Sequence, residues 1–185
     1  MKKVLLLLLT TFTLSCCNKD DEPKTITELE KLPPATQIGA NTAGCLVNGV
    51  AFLPKGYFTT GNLVCNYIDG KDFTLAIRES IIQGGNENIR TILISSFNQN
   101  LHDNVGVSFP LVEYGANSKS GEYVINAVAS PDPNYYSTTS IISGELKITH
   151  HDFNNAILSG TFWFDAINSN GEIIKVREGR FDKHY

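Results

Sequence analysis

Phe162-Trp163-Phe164-Asp165-Ala166-Ile167-Asn168-Ser169-Asn170-Gly171-Glu172-Ile173-Ile174-Lys175-Val176-Arg177 reads as two strands joined by a tight turn. Aromatic and β-branched residues fill both arms, and Asn and Gly, which tolerate positive φ, fill the centre. A three-residue loop, Ser169-Asn170-Gly171, with Gly171 at a left-handed bulge position, sets Asn168 opposite Glu172 and Ile167 opposite Ile173. Ala166 then meets Ile174, and Phe164 meets Val176. The other face carries Asp165 with Lys175 and Trp163 with Arg177, a charge pair and a cation–π pair. A two-residue loop, Asn170-Gly171, would set Phe164 against Arg177 and Ala166 against Lys175, mixing apolar and charged faces. The three-residue loop is therefore favoured. It assigns Phe162, Phe164, Ile174 and Val176 to the core and Trp163 to the opposite, wetter face.

The same grammar extends through the chain from Gly44. Runs that fit strands are Gly44–Phe52, Leu63–Ile68, Phe73–Arg78, Thr91–Phe97, Val105–Phe109, Glu122–Ala129, Ile141–Thr149, Ala156–Ile167 and Glu172–Phe181. Between them stand Asp69-Gly70, Gly84-Gly85-Asn86, Asn117 to Gly121, Ser130 to Asn134, Asn154-Asn155 and Asn170-Gly171. Short strands punctuated this way, with no long helical period, predict an all-β domain: one antiparallel β-sandwich or partly open barrel of about eight to nine strands.

Upstream, residues 17–43 read as a flexible acidic, proline-containing tether ahead of a β domain spanning 44–185. Thr27 to Leu32 has the pattern of a single helical turn stopped by Pro33. A free chain of about 25 residues reaches ~27 Å r.m.s.. Residues 1–16 have the form of an export signal: Lys2 and Lys3, an apolar run from Val4 to Leu9, and no length for a membrane span. Leu14-Ser15-Cys16-Cys17 follows and resembles the lipobox of bacterial lipoproteins, in which the cysteine thiol receives a lipid. Both cysteines fit. Cys17 is favoured and Cys16 is the alternative, because Lys19-Asp20-Asp21-Glu22 then begins two residues after the modified cysteine. That spacing resembles the surface-export signal of Bacteroidota lipoproteins.

A wider resemblance rests on both ends of the domain. Leu32-Pro33-Pro34-Ala35-Thr36-Gln37, Gly39-Ala40-Asn41-Thr42 and Gly44-Cys45-Leu46-Val47-Asn48-Gly49 are similar to the lead-in of a group of uncharacterised outer-membrane lipoproteins of Bacteroidota. Gly160-Thr161-Phe162 and Glu178-Gly179-Arg180-Phe181-Asp182 are similar to their close. Ala43 departs from the pattern, standing where an aromatic is expected. The resemblance implies a lipid-anchored protein of the outer membrane, facing the exterior, and carries no activity with it.

Chemistry-bearing signals are sparse. The formal net charge is −4, and no basic patch suggests nucleic acid. His150-His151-Asp152 closes a strand, where adjacent side chains point to opposite faces and do not readily share a metal. His102-Asp103 sits in a polar loop, and no nucleophile elbow accompanies the serines. No catalytic residue, metal ligand or cofactor is therefore assigned. Cys45 and Cys65 lie on consecutive strands of an exported chain. A disulfide between them would close about 20 residues and add ~3 kcal/mol; the alternative is two small buried hydrophobes. Ser130 to Ser140, with Tyr135 and Tyr136 behind two prolines, is the candidate ligand loop, and Tyr57-Phe58 is a second. The expectation is a binding or structural module meeting a glycan, peptide or envelope protein. A hydrolase with an unrecognised site and a carrier of a small apolar ligand are the alternatives.

Overall fold

The structure is a computed structural model and describes residues 25–83, 85–98 and 100–185. Eleven strands form one antiparallel sheet: β1 (Thr42–Val47), β2 (Val50–Phe52), β3 (Leu63–Ile68), β4 (Asp72–Gln83), β5 (Asn86–Phe97), β6 (Ser108–Leu111), β7 (Lys119–Ile125), β8 (Tyr135–Ser137), β9 (Gly144–Asp152), β10 (Ile157–Ile167) and β11 (Ile173–His184). The path runs β2-β1-β11-β10-β8-β7-β5-β4-β3, with β9 also on β10 and β6 on β9.

The sheet curls so that its two halves face each other. Phe73 of β4 meets Phe181 of β11 with ring centroids 5.9 Å apart, and Phe52 of β2 meets Tyr123 of β7 at 6.3 Å. Gly121 of β7 leaves room for the Phe164 ring, which a Cβ there would meet at 2.8 Å. Phe52, Phe73, Leu75, Ile77, Ile92, Ile94, Leu146, Leu158 and Phe164 are fully buried between the halves. The sheet does not close. Its two edges are linked where the chain after β2 crosses to β4: Lys55 N–H donates to Arg78 O, Ser80 N–H donates to Lys55 O, and a parallel bridge joins Lys55 to Glu79.

The β10–β11 hairpin has the register its turn demands. Ile167 faces Ile173, Ala166 faces Ile174, and Phe164 faces Val176. Asn168 N–H donates to Glu172 O, and Gly171 has φ +81°. Asn168 also staples the loop from within, its side-chain oxygen accepting from the N–H groups of Asn170 and Glu172. One expected partner differs. Lys175 lies opposite Asp165 on the backbone, but Arg177 reaches across and takes the carboxylate.

Two expectations need correction. The run Gly44–Phe52 is not one strand: Asn48 and Gly49, at φ +49° and +84°, fold it into the β1–β2 hairpin. The described part of the 17–43 tether is held on the domain. Thr27 and Glu30 bond each other's backbone N–H reciprocally at a short 3₁₀ turn, Leu29–Lys31, and Leu32 is buried. Thr36 to Ala40 then wraps the carboxylate of Asp182 on β11. Its oxygens accept from the Thr36 hydroxyl at 2.6 Å, from the N–H groups of Ile38, Gly39 and Ala40 at 2.9–3.0 Å, and from the Ser159 hydroxyl at 2.8 Å. This is an anion nest built for a side chain of the same molecule. Burial alone would raise the pKa of Asp182. The bonds from Thr36, Ala40, Ile38 and Ser159 outweigh burial and hold the carboxyl well below its ordinary 3.8.

Candidate functional site

The outer face of β9, β10 and β11 carries the candidate site, and a flaw in the β10–β11 ladder creates it. Phe162 pairs with Gly179 and Phe164 with Val176, so Trp163 alone opposes two residues, Arg177 and Glu178. This β-bulge turns the strand and re-aims the side chains around it. Glu178 sits at φ +55°, in the left-handed region that a residue with a Cβ enters at a cost. Gly179 follows because nothing larger fits: a Cβ there would stand 2.4 Å from the Phe162 ring and 2.5 Å from its carbonyl oxygen.

Across this face, Glu145 of β9 is the backbone partner of Trp163, and Thr161 that of Arg180. Trp163 is 42 % exposed, and the Arg177 guanidinium lies 5.3 Å from its ring centroid. Arg177 is itself fixed. One nitrogen donates to the carbonyls of Phe164 and Val176 at 3.1 and 2.8 Å, and another pairs with Asp165. The indole is therefore braced from one side. Arg180 donates from Nε to Glu178 O at 3.0 Å and from Nη2 to Glu178 Oε2 at 3.2 Å. These groups, with Ala35 of the lead-in segment, line an open groove of about 480 Å³, within the range of small-ligand sites.

The residues singled out in the sequence fall elsewhere. Tyr135 and Tyr136 do not stand out on a free loop. They form β8, bridging β7 and β10, and both are half-buried. Tyr136 stacks near Tyr123, with centroids 5.8 Å apart, and donates to Glu172 Oε2 at 3.2 Å. Burial, then its hydrogen bond to Glu122, pushes the Tyr135 hydroxyl far above its ordinary value. Both phenols are thus committed within the protein. Tyr57 is highly exposed in the loop after β2.

Cys45 and Cys65 are separate buried thiols with no bridge between them, which matches the reading of two small buried hydrophobes. They are inward residues on β1 and β3, strands that are not neighbours in the sheet. Burial pushes the Cys65 thiol up to about 12 and Cys45 further still. His151 Nε2 lies 2.9 Å from the Tyr185 hydroxyl, beside the Tyr67 ring, in an aromatic cluster that closes one end of the core. Among the described residues, no group of three or more His, Cys, Asp or Glu is placed to hold a metal ion. Cys16, Cys17, Lys19, Asp20, Asp21 and Glu22 lie outside the described residues.

Sequence pattern placed Trp163 and Arg177 together on the outer face. It missed Glu145, Glu178 and Arg180, because a bulge breaks the alternation that locates side chains. The Glu178-Gly179 pair inside a strand was the available signal.

Residues 77–184, from β4 to the end of β11, match the family described as Domain of unknown function (DUF6252). No curated protein and no solved structure matches the chain.

Proposed function

For a chain that belongs to the DUF6252 family, a domain of unknown function, we propose a recognition role: a lipid-anchored β domain that displays the Trp163 groove to a ligand outside the cell. The observation that carries this is Trp163 itself. A large indole is left 42 % exposed on a sheet face while Arg177 holds it in place from the side. Such a fixed amphipathic ring is what binding surfaces use, since little conformational entropy remains to be lost on contact. The interior also favours recognition by the outer face over carriage of an apolar ligand, because large side chains fill the space between the sheet halves.

The anchor belongs to the same proposal. A thioether-linked diacylglycerol on Cys17, with acylation of the new amine, supplies enough chains for stable attachment. Lys19 to Glu22 is the signal for outward display. Labelling cells with an alkyne fatty acid tests the anchor: Cys17→Ala should abolish label and Cys16→Ala should retain it. Added protease should cleave the protein on intact cells. Protection until the outer membrane is breached would overturn surface display. Saturable change in Trp163 emission with an envelope or host extract tests recognition, and a silent indole counts against it.

A further inference from the structure

We infer that the Trp163 groove takes a neutral saccharide, an inference that rests on the recognition reading above and names its ligand class. The argument starts from charge. Arg177 is paired with Asp165 and Arg180 with Glu178, so neither guanidinium offers uncompensated positive charge. Glu145 adds a carboxylate on the groove wall. An anionic ligand would meet more negative than positive charge and would have to displace existing ion pairs. A cationic ligand would meet the two guanidinium groups beside the indole.

The hydrogen-bonding groups that remain are mixed and planar. Arg180 uses Nε and Nη2 on Glu178, leaving the Nη1 hydrogens as donors. Glu178 retains Oε1 as an acceptor, and Glu145 has two acceptor oxygens with no bond among the described residues. Thr161, the backbone partner of Arg180, adds a hydroxyl that both donates and accepts. Adjacent donors and acceptors on flat side chains are what vicinal hydroxyls require, because each hydroxyl gives one hydrogen bond and receives others. The indole supplies the remaining part: a flat electron-rich face for the C–H face of a pyranose ring, with its quadrupole directed at the weakly positive hydrogens. Glu178 gives the assembly its geometry. Its left-handed backbone presents the carboxylate beside Arg180, and the strain is localised where the groove needs it.

Trp163 is the only tryptophan in the chain, so its emission reports on the groove alone. The test titrates the full chain, in a non-glycosidic detergent, with maltotriose, mannotriose and chitotriose as neutral probes. Trigalacturonate serves as the anionic probe and trialanine as the peptide probe. The expected result is a saturable emission change with at least one neutral trisaccharide and none with trigalacturonate or trialanine. By calorimetry, Trp163→Ala should abolish that binding and Arg180→Gln should weaken it about tenfold, the loss of one good hydrogen bond. Glu145→Gln should change it less than about threefold, since an uncharged sugar needs the acceptor and not the charge. Response to trigalacturonate or trialanine alone would overturn the saccharide assignment and leave the groove a recognition site. Silence with every probe would overturn both.

Discussion

Strand β11 contains two regions built on different rules. From Ile173 to Val176, side chains alternate strictly, and each apolar residue has an apolar partner on β10. From Glu178 to Asp182, three of the five residues are exceptions. Glu178 has a left-handed backbone, Gly179 is present because a ring occupies its space, and Asp182 is a buried carboxylate. The first region packs Ile174 and Val176 into the core between the sheet halves. The second joins the lead-in segment to the core and shapes the groove. The contrast shows where a regular fold makes room for a groove: at the point where the ladder slips by one residue.

The largest effect should come from the β10 residue that pairs with the regular half. Phe164→Ala removes a fully buried ring that fills the space over Gly121 and should cost about 4 kcal/mol in urea unfolding. A loss below about 1 kcal/mol would mean that the halves do not pack as described. Asp182→Ala comes next, at about 3 kcal/mol, because it strands the N–H groups of Ile38, Gly39 and Ala40. It should also free the lead-in segment, giving a new protease cut between residues 32 and 41 while the rest of the domain stays folded.

The pH dependence follows from the same carboxylate. The folded pKa of Asp182 lies below the unfolded one, so the unfolded chain binds the proton more readily. Its stabilisation is present at neutral pH and declines as pH falls below about 4, the unfolded value. Unfolding measured between pH 6 and 3 should steepen there in the native chain and less so in Asp182→Asn.

Gly179→Ala should cost about 2 kcal/mol, since the methyl group meets the backbone oxygen of Phe162, which has little room to yield. Glu178→Gly should have the smallest effect on stability and the sharpest on function. Relief of the left-handed strain offsets the lost pair with Arg180, leaving stability within about 1 kcal/mol. Groove binding, read through Trp163, should fall. Equal loss of both would merge the two halves of β11 into one structural unit.

What was legible in the sequence follows the same division. The β10–β11 register could be read residue by residue because turn chemistry and alternation agreed. Nine strand-forming runs were visible; the other two strands are β2, split off by Asn48-Gly49, and β8, a three-residue strand too short to show a period. The Asn-Gly dipeptide was itself a hairpin signal. Tyr135 and Tyr136 looked available because they follow prolines, but Glu122 and Glu172 consume their hydroxyls, and such partners are distant in sequence. The lead-in segment looked free because its fastening is a single aspartate more than 140 residues away.

That fastening also has a mechanical meaning. A domain tethered by its N-terminus and gripped at Trp163 would be stretched between those two points. Tension would first reach the Glu28 carboxylate, which accepts from Ala51 N–H on β2 at 2.9 Å, and then the buried Leu32. Beyond these it would reach Thr36 to Ala40 and pass through the four hydrogen bonds that segment gives Asp182 into β11, the strand that shapes the groove. Asp182 is thus where a pull on the N-terminal segment would pass into the strand that shapes the groove.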